Sequence, residues 1–529
     1  MQTSRTILFS LCVLAFVALG YSASPRLLAL LGMTAWLTLG TLAISLPVGT
    51  LLGIAIGKVE FAWRGTLTCL LVSLLFVPLY VQAAAWHAAF GYGGWLQQWF
   101  TFDSSWFQGL TAAIIIHAAA AVPFVTLLCA ASLATAARSL EEQSLLDAKP
   151  QQVLSRVSLP HAAGGILAAA AWVALTCTTE ICVTDLFQVR TFAEEIFTQA
   201  SLGTLSLDEE SSNDLLIGIL MIMFMATGSA LLLTPWAIRT VKNSWVEQAW
   251  RWKPQHRWPV SLFVWLIASI FIAVPIASLA WKAGHATDPN SDSLDLSWSL
   301  GHTLSISLSS LFEFRREFGW SLLIGICAAL VCTTAATLAF WLAKRSSFSL
   351  GCLFALVVVL LAIPAPLLGV WTVRFLNQPD DSLLSPLSIL YDRTIIGCVL
   401  VQSLRAFPIA VAMIATQLST IPTELADAAR SEGAGWWRQL LRVVIPMRLP
   451  SLIATLLVCT AISMAEISAT FLVLPPGVTP LSRRLFGLLH YGADDRVAAV
   501  SLGFFLLVVA ITAIAMRAFG KKGQTGRRS

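Results

Sequence analysis

Long apolar runs alternate with short polar connectors along the whole chain. Twelve runs reach or approach the ~20 residues that a helix needs to cross a bilayer. They lie at 6–23, 29–57, 65–86, 110–132, 162–185, 214–238, 259–281, 319–343, 351–375, 395–417, 451–474 and 497–516. The pattern predicts an all-α membrane protein. The first run follows Arg5 and precedes Ser22-Ala23-Ser24, a layout that also fits a cleaved signal peptide. A retained first helix is the preferred reading, because Arg26 follows with no soluble domain behind it.

Composition narrows the class. The chain is 57% hydrophobic and only 12% charged, too little polar surface for a soluble protein of 529 residues. The ten cysteines fall within or beside apolar runs and share no metal-ligand spacing. They read as small buried apolar residues, so no metal site is expected. With the N-terminus in the cytoplasm, about two thirds of the 33 basic residues fall on the inner face, including Lys58, Arg64, Lys149, Lys344 and Arg345. The longest outer connector, 282–318, carries Asp288, Asp292 and Asp295.

One polar island stands out, at residues 424–446. Asp427 to Ser431 is rich in helix formers, and Gly433 and Gly435 can supply a turn with positive φ. Trp436 to Val444 has the composition of a second, amphipathic helix, which Pro446 is expected to end. The spacing Asp427-Ala428-Ala429, three residues, Gly433, nine residues, Val443-Val444-Ile445-Pro446 resembles the EAA loop of type I ABC importer permeases. The resemblance implies a MetI-like permease fold. It also implies a cytoplasmic coupling helix, formed by these residues, that docks on a separate ATPase subunit.

The chain also repeats itself. At an offset of 286, Pro160 matches Pro446, Glu180-Ile181 matches Glu466-Ile467, Thr184 matches Thr470, Pro78 matches Pro364, and Lys58 matches Lys344. At 285, Pro123 matches Pro408 and Glu142 matches Asp427. The expected organisation is two parallel six-span halves, about twelve transmembrane helices in all. The first half is 1–240, with a loop at 140–160. A basic cytoplasmic linker spans 241–258. The second half is 259–516, with a loop at 424–446, and a basic tail covers 517–529. An even number of spans per half gives both copies one orientation and puts both loops on the cytoplasmic face. The first loop has diverged: Gln143-Ser144 replaces Ala-Ala and Ala148 stands where the second copy has Gly433. Glu142, Asp147, Ala148 and Pro160 are its expected coupling residues, and Lys149-Pro150 can still break its helix.

Glu180 and Glu466 lie in apolar surroundings, each 20 residues after the loop proline. At 1.5 Å per residue that is ~30 Å of helix, which puts both near the outer end of a span. A carboxylate there either lines a path, together with Thr184, Asp185, Arg405 and Thr470, or is held by a local hydroxyl or backbone group. Arg405 and His117 are expected to be interior residues with local partners. The stretches 184–195 and 470–477 resemble the fused two-domain permeases of the ferric-iron and thiamine branch. That resemblance implies ferric iron as cargo, with thiamine, polyamine, phosphonate or an oxyanion as alternatives. It implies as partners two ABC ATPase subunits at the cytoplasmic face and a periplasmic solute-binding protein outside, in an inner (plasma) membrane with no nucleic acid involved. No Gly-x-x-x-x-Gly-Lys-Ser/Thr loop occurs, so ATP is expected on the partner, with no cofactor and no enzymatic activity in this chain. An ion-coupled secondary transporter is the competing class. A membrane-embedded enzyme finds no nucleophile motif or ligand cluster to support it.

Overall fold

The structure is a computed structural model. It describes residues 14–506, except 93, 101–104, 135, 137, 203–208, 243–249, 288–295, 380–381, 420, 422 and 491–494, together with 508, 509 and 512. The beginning of the first expected span and the basic tail lie outside the described residues.

The chain is helical almost throughout, because lipid offers backbone N–H and C=O groups no partner outside the segment itself. Among the described residues, seven helices are long and apolar enough to cross a membrane, or nine if two bent pairs each count as one span. The seven are Pro25–Lys58, Gly109–Leu133, Pro150–Thr179, Arg257–Gly284, Arg315–Ala343, Ile396–Ser419 and Trp436–Ala465. The apolar runs at 65–86 and 351–375, expected as single spans, are each broken. Arg64–Leu74 turns through 108° into the helix beginning at Leu79, and Ser347–Ala362 turns through 103° into Ala365–Leu376. Pro78 and Pro364 stand at the breaks. Proline brings no N–H to satisfy there, and each proline carbonyl accepts from the next helix's first turn, from Val81 and Leu367 at 3.1 Å. The outer connector 282–318 holds structure that the sequence reading missed: a short antiparallel hairpin, His285–Thr287 with Leu296–Trp298, and the helix Leu300–Glu313.

The elements recur at the offset found in the sequence. A π-helical turn at Leu154–Ser158 precedes the helix Leu159–Thr179, and one at Leu440–Val444 precedes Ile445–Ala465. Pro446 does not end a helix, contrary to the expectation from sequence, and neither does Pro160. Each sits in the first turn after a π-helical turn, whose wider winding accepts a residue lacking an N–H.

The chain divides into two compact units, neither continuous in sequence. One contains Leu30–Glu194, Trp245–Phe318 and Pro480–Ser529. The other contains Met1–Ala29, Glu195–Ser244 and Gly319–Thr479. Each unit therefore takes the central stretch of one expected half together with flanking stretches of the other.

Within the first of these units, Gly49, Gly53 and Gly57 form a small-residue ridge on the helix Pro25–Lys58. A Cβ at Gly53 would lie 2.7 Å from Cβ of Cys129 and 2.9 Å from the Thr126 carbonyl oxygen; one at Gly49 would lie 2.6 Å from Val125. This close approach is how helices gain packing energy where water supplies no driving force. Gly53→Leu should force the helices apart and cost about 1–3 kcal/mol, read as a lower unfolding temperature in detergent. Gly65→Leu, where a Cβ meets open space, should leave that temperature unchanged.

Candidate functional site

The second polar island folds as a helix, a tight turn and a second helical segment. The helix Thr423–Ser431 stops at Gly433, whose φ is 76°. Gly433 N–H donates to the Arg430 carbonyl and Ala434 N–H to the Ala429 carbonyl, both at 2.9 Å, which is the Schellman pattern. Gly435 does not share the left-handed conformation; its φ is −60° and it caps the helix Trp436–Gln439. Asp427, Ala428 and Gly433 are exposed and Ala429 is half-buried. Asp427 pairs with Arg430 at 3.2 Å.

On the inner side this segment rests on aromatic and cationic groups. The Trp341 and Trp436 rings lie 5.6 Å apart. Lys344 Nζ sits 3.3 Å over the Trp341 ring, and the Arg345 guanidinium 4.0 Å over Trp436. Burial, with Arg430 nearby, pushes the Lys344 ammonium down to about 8, against the preference of an indole face for the charged form. Leu440 and Val444 are buried anchors.

The first island solves the same problem differently. Its helix Arg138–Asp147 ends before Lys149, which has extended φ and ψ, and Pro150 opens the next turn. Proline thus does what Gly433 does in the second island. Glu142 is exposed and pairs with Arg138 at 2.7 Å. Asp147 and Pro160 are exposed and Ala148 half-buried. The buried member is Glu141, which sequence reading passed over. It has no exposure and meets Lys58 Nζ at 2.5 Å, while Ser158 donates its hydroxyl to the same oxygen at 2.6 Å.

The intramembrane carboxylates are held by backbone. Glu180 caps the C-terminus of Leu159–Thr179, and its oxygens accept from the N–H groups of Cys182 at 2.5 Å and Val183 at 3.2 Å. Of the alternatives, the backbone holds it; the Thr184 hydroxyl donates to the Ile181 carbonyl. Glu466 likewise caps Ile445–Ala465, accepting from Ala469 N–H at 2.8 Å, Thr470 N–H at 3.0 Å and the Thr470 hydroxyl at 2.5 Å. Both are joints: each ends one helix and starts the next short turn.

The neighbours of the two joints differ. His117 Nε2 stands 3.3 Å from Glu180 Oε2, and its Nδ1–H donates to the Ala113 carbonyl. In the other unit Gln402 donates to the Thr470 hydroxyl at 3.2 Å. Asp185 meets His490 at 3.2 Å. Arg405 is half-buried and has a partner. Glu195 is engaged by Arg26. The histidine partnerships escaped the sequence reading because they join residues 63 or more apart with no shared motif.

Parts of the chain are similar to known proteins. Residues 335–522 match the family described as binding-protein-dependent transport system inner membrane component. A protein of Salmonella typhimurium, provisionally named a 2-aminoethylphosphonate transport system permease, is 32% identical over 103 residues, 20% of this chain and 37% of the relative. The molybdenum transport system permease protein ModB of Escherichia coli is 35% identical over 74 residues, 14% of this chain and 32% of the relative. The chain thus spans about a third of the length of these relatives. The match to that transport family therefore rests on residues 335–522, in a chain whose described residues include seven helices long and apolar enough to cross a membrane.

Glu466→Ala should remove the cap on the turn Thr470–Val473 and leave buried donors unpaired. It should cost about 1–3 kcal/mol, measured by thermal unfolding in nanodiscs, while Glu466→Gln, which keeps an acceptor, should cost less.

Proposed function

We propose that this chain is the membrane-spanning permease subunit of an ATP-driven importer, with both halves of the permease in one polypeptide. The observation that carries the reading is the helix–turn–helix at 423–446, with its Schellman turn at Gly433 and exposed Asp427-Ala428, inside the stretch 335–522 that matches the permease family. The recurrence of π-helical turn, proline and glutamate joint 286 residues earlier supports a duplicated body of two six-span repeats. On this reading, two ATPase subunits dock on 140–160 and 424–446. ATP closes them, the loops follow, and the membrane helices change access from one side to the other. A solute-binding protein delivers the cargo outside, and the chain itself holds no nucleotide.

An oxyanion is the favoured cargo. The relatives are named for 2-aminoethylphosphonate and molybdenum transport. Ferric iron would need free hard oxygen ligands, and Glu180, Glu466, Asp185 and Glu195 are each already engaged by a protein group. Vesicles carrying the chain with its ATPase and binding protein should take up molybdate or a phosphonate. Uptake of ferric iron alone would reverse the cargo assignment.

Gly433→Val puts a β-branched residue at positive φ, a strain of about 1–2 kcal/mol. It should cut transport at least tenfold while membrane insertion and expression stay unchanged. Unchanged transport would remove the docking role from this loop.

A further inference from the structure

Resting on the reading of 140–160 as a docking loop, we propose that Lys58, Glu141 and Ser158 are positioning residues that lock this loop to the membrane helices and to the inter-half linker. The three side chains are 2%, 0% and 1% exposed, and they converge on one oxygen, Glu141 Oε1. Each belongs to a different element: Lys58 ends the helix Pro25–Lys58, Glu141 lies on the inner face of Arg138–Asp147, and Ser158 closes the π-helical turn leading into Leu159–Thr179. A lysine at a helix C-terminus also meets the favourable end of the helix dipole.

Lys58 is a node in the backbone too. Its carbonyl accepts from Trp252 N–H at 2.7 Å, and Glu60 N–H donates to the Trp252 carbonyl at 3.0 Å, a parallel bridge between the linker and the residues after the helix. Arg257 meets Glu60 at 3.7 Å, and the Ser261 hydroxyl accepts from Ala62 N–H at 2.9 Å. A displacement of the loop helix therefore reaches two membrane helices and the linker through one buried carboxylate.

Among the described residues, the second copy shows no such lock. Lys58 and Ser158 match Lys344 and Val444 at an offset of 286, and Glu141 matches Ala426 at the offset of 285 that aligns the loops; the next residue, Asp427, is exposed and pairs with Arg430. Lys344 instead lies over an indole face. The first loop is fastened by a buried ion pair and the second by stacking. A buried pair is directional and fails when one partner is removed, whereas an apolar substitute for both preserves packing.

The test uses the full chain in nanodiscs, followed by hydrogen exchange and mass spectrometry. Glu141→Gln and Lys58→Met should each raise exchange across 138–158 at least tenfold and leave 423–445 unchanged. The double variant Lys58→Met/Glu141→Leu should recover most of the protection, which keeps the test decisive if a single variant folds poorly. Exchange within twofold of wild type in both single variants, or a double variant no better than either, overturns the lock. The second arm measures ATP hydrolysis by the complex that co-purifies with the tagged chain. Glu141→Gln should change kcat at least threefold with KM for ATP unchanged. Raised exchange with both constants unchanged overturns the positioning role. Failure of the wild-type chain to retain any ATP-hydrolysing subunit overturns the docking-loop reading instead, and the exchange arm still decides the lock.

Discussion

In hydrocarbon, a backbone break must carry its own hydrogen-bond partners. Every interruption described here obeys that constraint. At the bends, Pro78 and Pro364 remove a donor and offer a carbonyl. At the far ends of the paired helices, Glu180 and Glu466 accept the N–H groups that the break would leave bare. At the polar islands, Gly433 closes one helix with two backbone bonds, and Pro150 opens another without needing one. A chain solved this way has joints at fixed places and stiff rods between them, which is what a body that changes access requires.

The constraint also decides what the intramembrane acids do. A carboxylate whose oxygens accept several backbone N–H groups has its acceptor sites taken and is spent as a ligand. Glu180 and Glu466 therefore read as structural joints. Their neighbourhoods still diverge. His117 donates Nδ1–H to the Ala113 carbonyl and holds Nε2 3.3 Å from Glu180 Oε2. On the Glu466 side, the Gln402 amide donates to the Thr470 hydroxyl, which in turn donates to Glu466. The polar islands diverge as well, with ion-pair fastening on one and indole stacking on the other. The joints recur 286 residues apart, while the chemistry around them differs.

Much of this was legible in the sequence because joints and rods leave local signatures. Apolar run length gave the long helices, and the Asp427-Ala428-Ala429…Gly433…Pro446 spacing located the helix–turn–helix. The offset of 286 anticipated the recurrence of Pro160 and Glu180. What escaped depends on distance in sequence or on backbone detail. Nothing local marks Glu141, rather than its neighbour Glu142, as the buried member that meets Lys58. Run length could not show that 65–86 and 351–375 bend through more than 100°, nor that Pro446 starts a helix, because a π-helical turn has no composition of its own. The connector 282–318 read as polar at its acidic residues, which hid the helix Leu300–Glu313.

The central claim is that one duplicated membrane body presents two polar islands to the same side of the bilayer. Asp147 and Asp427 are exposed, one on each island. Cysteines placed at these two positions, in a chain cleared of its native cysteines, can be challenged with a membrane-impermeant maleimide in vesicles of known sidedness. The account predicts labelling of both in inside-out vesicles and of neither in right-side-out vesicles. Labelling of the two positions from opposite sides would contradict it.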